Sequence, residues 1–171
     1  MAVGPEGARP ARPDDAARLG ELAAALTAEL GAARGGATLA RFLDPLLTEA
    51  SLRRRITDAD RGAVVVGTYD GTVAGLALVE HPRQKAAGGM PEGHVAVVHV
   101  LYVEPGMREV GIGGAILAEL VRLETDRGAL ALDVPALPGD GATKSFLEGA
   151  GFRARLLVMH RPLRRGLDPW T

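Results

Sequence analysis

Residues Val97–Leu123 read VVHVLYVEPGMREVGIGGAILAELVRL, and the order of residue types in them decides the fold. A β-branched run, Val95–Val103, ends at Glu104-Pro105-Gly106. Arg108-x-x-Gly111-x-Gly113-Gly114 follows and leads at once into an apolar pattern of helical spacing. A strand, a glycine-rich turn and a helix start in that order form a site for a phosphorylated ligand. The unpaired N–H groups and the positive dipole end of the helix converge there, and glycine lets a ligand approach the backbone.

Outward from this stretch, Ala63–Tyr69 and Thr72–Glu80 flank Asp70-Gly71, a strong hairpin signal. His81–Gly93 holds two prolines and a Gly-Gly pair and reads as a loop. Residues 1–7 read as a loose arm leading into a short strand near Ala8–Arg12. Asp14 is expected to cap a helix whose stripe is Leu19, Leu22, Ala23, Leu26 and Leu30, stopping at Gly31. A second helical region starts near Thr38 with Leu39, Phe42, Leu43, Leu46 and Leu47, and Asp44-Pro45 is expected to break it. Arg53–Arg55 read as a solvated face near a helix C-terminus. On the C-terminal side come a helix over Gly113–Arg127, a strand over Ala129–Val134 and a short helix near Asp140–Gly149. A last strand over Phe152–Arg161 and an irregular tail, 162–171, complete the chain. Ile112, Ile116, Leu117 and Leu120 recur at helical spacing as core positions. The order βααβββαβαβ predicts one α/β domain with a mixed, mostly antiparallel central sheet and helices on both faces.

With 171 residues, 47% of them apolar, the chain can bury one substantial core. Its formal net charge of −1 supplies no field that draws it to nucleic acid or to an anionic membrane, so neither partner is expected. The absence of cysteine removes disulfides, thiolate metal sites and a cysteine nucleophile. No signal-peptide core and no long apolar segment is present, so a cytoplasmic protein is the expectation. The four histidines, 81, 94, 99 and 160, show no ligand spacing, and no metal site is expected.

Several ligands compete for the glycine turn. A dinucleotide fingerprint needs a third glycine where Ile116 stands, although Asp133 lies at about the distance of a ribose-binding acid. A Walker-type loop needs Gly-Lys-Ser/Thr, which the chain lacks. A turn that merely packs helix on strand is a further reading, and an acyl-coenzyme A pyrophosphate site is another.

Leu101-Tyr102-Val103-Glu104-Pro105 with Arg108–Gly114, together with the later Gly151-Phe152 after a short helix, resembles the core pattern of the GNAT N-acetyltransferases. The element order over roughly Ala8–Leu163 is similar as well. The resemblance implies an acyl-CoA N-acyltransferase fold whose fourth strand is bulged and splayed from its neighbour. It implies acetyl-CoA as co-substrate and an amine, of a small molecule or a protein, as acceptor. The coenzyme would be held by Leu101, Tyr102 and Val103 along pantetheine and by Glu109, Val110, Gly111, Ile112, Gly113 and Gly114 at the pyrophosphate. Arg108 would either neutralise charge or brace the loop, and Asp140 matches the family's usual pantetheine-contacting Asn without its amide donor. Phe146 is read mainly as core, with a place beside the coenzyme as the other reading.

Acetyl transfer to an amine needs a base for the ammonium proton and a fate for the departing thiolate. The family's frequent Tyr acid falls at Leu147, which has no proton to give. Tyr102 is a substitute, or else a packing residue. For the base, the resemblance points to His99, whose parity on the strand matches Leu101 and Val103. In a run otherwise written in valine it is expected to be neutral near pH 7. Glu80, His81 and Glu104 are further candidates for a water chain or for a cationic substrate. Two other functions stay open: an acyl-CoA-binding module of weak or no activity, and an acyl-CoA hydrolase or long-chain acyltransferase. Arg41, Arg53–Arg55 and Arg83 suit an anionic acceptor, whereas Glu80, Glu92 and Glu104 suit a cationic one. Trp170 is read either as a lone exposed ring or as a homodimer contact.

Overall fold

A computed structural model describes residues 5–33, 36–58, 60, 62–81, 93–137, 139–156, 158, 159 and 161. The strands are β1 (Glu6–Pro10), β2 (Gly62–Tyr69), β3 (Thr72–Glu80), β4 (Val95–Val103) and β5 (Ala131–Asp133). The helices are α1 (Ala16–Ala32), α2 (Gly36–Leu47), α3 (Glu49–Thr57), α4 (Ile112–Asp126) and α5 (Gly141–Gly149). Sheet order is β1-β2-β3-β4-β5, antiparallel throughout except for the parallel pair β4–β5. The mixed sheet expected from the element order is the one observed.

The two faces of the sheet follow from strand alternation. Val64, Val66, Leu76, Leu78, Val100 and Tyr102 meet Leu19, Leu22, Leu26, Leu43, Leu47 and Leu52 of α1–α3. Val65, Ala77, Val79, Ala96 and Val98 meet Ile112, Ile116 and Leu120 of α4. The four α4 core positions read from the sequence are all buried. Asp70 and Gly71 have φ of 46° and 79°, the positive pair that a two-residue hairpin turn of type I′ requires.

The helix stops and starts depart from the sequence reading in identifiable ways. β1 begins at Glu6, inside the segment read as an arm. Asp14 does not cap α1. A 3₁₀ turn, Pro13–Asp15, precedes that helix, and Asp15 takes the structural role by accepting from the Arg12 N–H at 2.6 Å and pairing with Arg9 at 2.7 Å. Helix α2 runs through Pro45, and the break falls at Thr48, which caps α3 by accepting from the Ser51 N–H at 3.2 Å. The apolar stripe Leu43–Leu47, buried against α1, outweighs the one backbone bond that proline removes. The last expected strand is absent from the described part of 152–161, which is irregular. The expected tail 162–171, Trp170, His160, Arg83, Glu92 and most of the 81–93 loop lie outside the described residues.

Helix α4 sits on the sheet over a pair of glycines that the sequence did not single out. Gly67 and Gly75 are cross-strand partners. A Cβ on Gly67 would lie 2.5 Å from Ile112 Cγ2, and one on Gly75 would lie 2.7 Å from Ile116 Cδ1. Only a bare backbone lets the first turns of α4 come this close. Gly67→Val is expected to destabilise the fold by about 2 kcal/mol or more through overpacking, read as a lower urea midpoint with an unchanged m-value.

The Arg9–Asp15 pair carries a pH dependence. Hydrogen bonding to the Arg9 guanidinium holds the Asp15 carboxyl below its usual range. A depressed folded-state pKa stabilises above the unfolded carboxylate pKa of about 4 and loses that contribution as pH falls through the folded value. Asp15→Asn should therefore cost about 1 kcal/mol at pH 7, with the gap to the parent chain narrowing in acid melts below pH ~4.

Candidate active site

β4 carries the site. On one side it pairs with β3 from Val97 to Val103, and on the other it pairs with β5 only over Val95–Val97. Beyond Val97 the β4 edge that faced β5 has no ladder partner among the described residues. The Val103 carbonyl faces that open edge, where Arg108 Nε donates to it at 2.9 Å. Backbone groups alternate in direction along an antiparallel strand, so Leu101 presents its N–H and C=O to the same edge and Tyr102 turns its own toward β3.

The register between β3 and β4 slips once. Leu78 pairs with Val100 and Val79 with Val98, which leaves His99 as the extra residue of a bulge. The slip reverses the facing of everything after it. Ala96 and Val98 pack toward α4, whereas Val100 and Tyr102 pack toward α1–α3. His99 therefore does not share a face with Leu101 and Val103, as simple parity predicted. Its ring lies 5.6 Å from that of Phe42 on α2, a half-exposed side chain. Nor are its surroundings purely apolar, because Nε2 stands 2.7 Å from Glu80 Oε2. The fold thus joins two residues that the sequence suggested separately, 19 positions apart.

The helix-start half of the site is formed by backbone. Gly111 is the N-cap residue of α4 with φ of 95°, and it supplies no side-chain cap. Ala115 N–H bonds to Gly111 O, leaving the amides of Ile112, Gly113 and Gly114 as the free donors of the first turn. A Cβ built on Gly113 would come to 3.4 Å from Phe146 Cζ and 3.9 Å from Val103 Cγ2. The first turn of α4, the end of β4 and the Phe146 ring of α5 therefore meet around Gly113. Phe146 is 38% exposed there and is not a core residue.

Other expected site residues have partners of their own. Arg108 donates from Nη2 to both Glu29 oxygens at 2.8 and 2.7 Å, and its guanidinium lies 5.6 Å from the Tyr102 ring. It is a brace from the turn to α1. Tyr102 is buried, and burial is the main cause that raises its phenol pKa, so the hydroxyl keeps its proton. With its backbone turned to β3 and its ring buried, Tyr102 has the surroundings of the packing residue that was one of its two readings. Asp140 caps α5 by accepting from the Thr143 N–H at 3.0 Å, and its bonds with Thr143 hold its carboxyl below the usual range. Glu104 pairs with Arg18 at 2.7 Å, and Asp133 pairs with Arg155. Leu147 is buried. Gly151 and Phe152 close α5, with Gly151 N–H bonding to Glu148 O and Phe152 N–H to Leu147 O. This is the paired 5→2 and 6→1 pattern of a glycine helix stop, and Gly151 has the positive φ of 89° that it needs.

The profile of the acetyltransferase (GNAT) family matches residues 33–152. The chain belongs to the GNAT acetyltransferase family. Its reaction class is accordingly acetyl-CoA-dependent acyl transfer. No curated protein matches the sequence. Solved structures share the fold at low identity. A GCN5-related N-acetyltransferase from Ralstonia eutropha is 21% identical, over 92% of this chain and 98% of its own, with a TM-score of 0.69. The aminoglycoside N-acetyltransferase AAC(6')-Iy in complex with CoA is 16% identical over 96% and 99%, with a TM-score of 0.67. Among the described residues no helix is long and apolar enough to cross a membrane.

Glu29 and Phe42 were not singled out as site residues. Glu29 lies on the exposed side of α1 and carries no sequence signal, while Phe42 was visible only as one more apolar residue on the α2 stripe. The close surroundings of Gly113 make a graded test possible. Gly113→Ala should fold normally and keep coenzyme affinity within a few-fold, because its Cβ meets only ordinary contacts. Gly113→Val should weaken coenzyme binding about tenfold or more, its methyls filling the space beside Phe146; equal affinity for both variants in a calorimetric titration would sink this geometry.

Proposed function

We propose that this GNAT protein transfers the acetyl group of acetyl-CoA to a primary amine by direct attack in a ternary complex, with His99 and Glu80 receiving the amine's proton. The observation that carries the reading is the position of that pair. It sits at the bulge of β4, just past Val97, where β4 and β5 part.

The open edge suits an acyl-coenzyme A in two respects. Leu101 and Val103 offer backbone groups at β-spacing, which amides of a pantetheine arm pair with as an added strand would. The uncapped amides of Ile112–Gly114 suit a diphosphate at the helix start. Arg108 already occupies one side of the Val103 carbonyl, so an amide there would use its second lone pair or displace the guanidinium. The N–H groups of the parted edge are also suited to hold the oxyanion of the tetrahedral intermediate.

An amine reaches this site largely as ammonium. The Glu80 carboxylate is substantially exposed beside His99 and gives a cation a point of attraction, with the Phe42 ring as an apolar neighbour. His99 removes the ammonium proton and Glu80 orients the ring. The neutral nitrogen then forms the C–N bond to give the tetrahedral oxyanion, whose collapse breaks the C–S bond while the nitrogen's second proton passes to the departing thiolate or to water. The departing thiolate needs no side-chain acid, since a thiol of pKa about 8.5 is a tolerable leaving group near neutrality. This accords with the buried Leu147 at the usual Tyr position. The chain has no cysteine to form an acyl-enzyme through sulfur, and direct attack requires no covalent intermediate.

A cytoplasmic location and a single domain over the whole chain complete the reading. Free-thiol release from acetyl-CoA across a panel of amines tests it. His99→Ala should lower turnover at neutral pH by about a hundredfold, the scale of a general base, with coenzyme affinity unchanged, and Glu80→Gln should cause a smaller loss. An unaltered pH–rate profile in His99→Ala would clear His99 of the role. Tight coenzyme binding with no turnover on any amine would favour a binding module instead.

A further inference from the structure

At the other end of α4 the fold gathers three potential metal ligands that spacing along the chain gave no reason to connect. His81 follows β3, His94 precedes β4, and Glu124 lies in the last turn of α4. Their ligand atoms all lie within 4.8 Å of one another. His81 Nε2 is 3.0 Å from Glu124 Oε2, His94 Nε2 is 3.5 Å from the same oxygen, and the two rings stand edge to face at 5.2 Å. We propose that His81, His94 and Glu124 form a binding site for a divalent transition-metal ion, zinc above all.

Three observations carry this. Glu124 is 2% exposed, and a carboxylate is buried to that degree only with compensation. Its Oε2, and His94 Nε2 opposite, are buried atoms that make no hydrogen bond. The compensation the protein does supply is aimed elsewhere: Arg127 Nη1 donates to Oε1 at 3.1 Å, and His81 Nε2 is 3.0 Å from that oxygen too. Oε2 and His94 Nε2 thus stand 3.5 Å apart, each buried and without a hydrogen bond.

The dimensions fit. A tetrahedral zinc ion with bonds of 2.0–2.1 Å separates its ligands by about 3.3 Å along each edge. The distances from Oε2 to the two imidazole nitrogens, 3.0 and 3.5 Å, bracket that edge. Two imidazoles with one carboxylate form a known zinc ligand set and leave a fourth position for water. Arg127 on Oε1 matches the usual support of a ligating carboxylate, whose second oxygen is held by a hydrogen-bond donor. Glu124 is twelve residues along α4 from Ile112, about 18 Å at 1.5 Å per residue. The site is therefore far from the helix start at Ile112, although His81 directly follows Glu80 of the proposed base pair, and its effect is to tie the end of β3 and the start of β4 to the last turn of α4.

The test uses the full chain without a histidine tag, stripped with a chelator and titrated with Zn²⁺. One ion per chain is expected, with a rise in melting temperature at saturation. His94→Gln and His81→Gln should each weaken zinc binding at least tenfold and abolish that rise, and Co²⁺ should give the strong visible bands of four-coordination in the parent chain alone. Glu124→Gln should behave likewise where it folds, and the histidine variants decide the matter if it does not. His99→Ala should still bind one ion. Equal zinc affinity in the parent chain and the His81 and His94 variants overturns the proposal, as does loss of the ion in His99→Ala. In either case the three residues are an ion-pair network and no more.

Discussion

A strand in the middle of a sheet must satisfy two rows of backbone groups, and among the described residues β4 satisfies one row and, of the other, only Val95–Val97. β3 pairs with it along nearly its whole length, whereas β5 leaves it after Val97. Unpaired N–H and C=O groups beside a core carry a free-energy penalty comparable to a lost hydrogen bond. The chain therefore keeps at Leu101 and Val103 an edge that water, Arg108 or a peptide-like ligand must complete. The residues of the proposed mechanism gather around that parting. The bulge that aims His99 lies beside it, and the start of α4 lies at its far end.

Holding α4 there is a packing problem, and two glycines solve it. The bare backbones of Gly67 and Gly75 admit Ile112 and Ile116 to within distances that a Cβ would forbid. Burial of those isoleucines anchors the first turn of the helix, so its free amides are fixed relative to Val103 without any side-chain cap. On the opposite face α1–α3 cover the sheet with a leucine stripe and bring Phe42 to the His99 ring. In the proposed function one face sets the coenzyme end of the site and the other sets the acceptor end.

Much of this was legible because it is local. The strand–turn–helix order of Val95–Asp126, the Asp70-Gly71 hairpin and the apolar stripes each rest on residues a few positions apart. The errors have a common physical cause in long-range contacts. Parity placed His99 with Leu101 because a bulge leaves no mark in the sequence, and it is seen only against the register of β3. Pro45 was expected to break α2, but the tertiary burial of Leu43 and Leu47 outweighs one lost hydrogen bond. Arg108 had two readings, and the choice between them depended on Glu29, 79 residues away. Glu80 with His99, and Glu124 with His81 and His94, are likewise encounters across strands that no spacing rule encodes.

The charge around the turn bears on how an anion is held there. Arg108 is the basic side chain nearest the glycines in sequence, yet Glu29 neutralises it through both oxygens. Glu6 packs against Gly111, Glu109 stands in the turn itself with φ of 67°, and Asp140 caps the helix opposite. Side chains therefore give this corner little net positive potential, and what remains is the oriented N–H dipoles of α4, equivalent to roughly half a positive charge. Such dipoles act within a turn of the helix and at hydrogen-bond range, so they select for a group that can seat itself on the amides rather than for negative charge at a distance. In the proposed mode of binding, recognition depends on fit along the parted strand and the helix mouth together, which would let a chain of nearly zero net charge serve a highly anionic co-substrate.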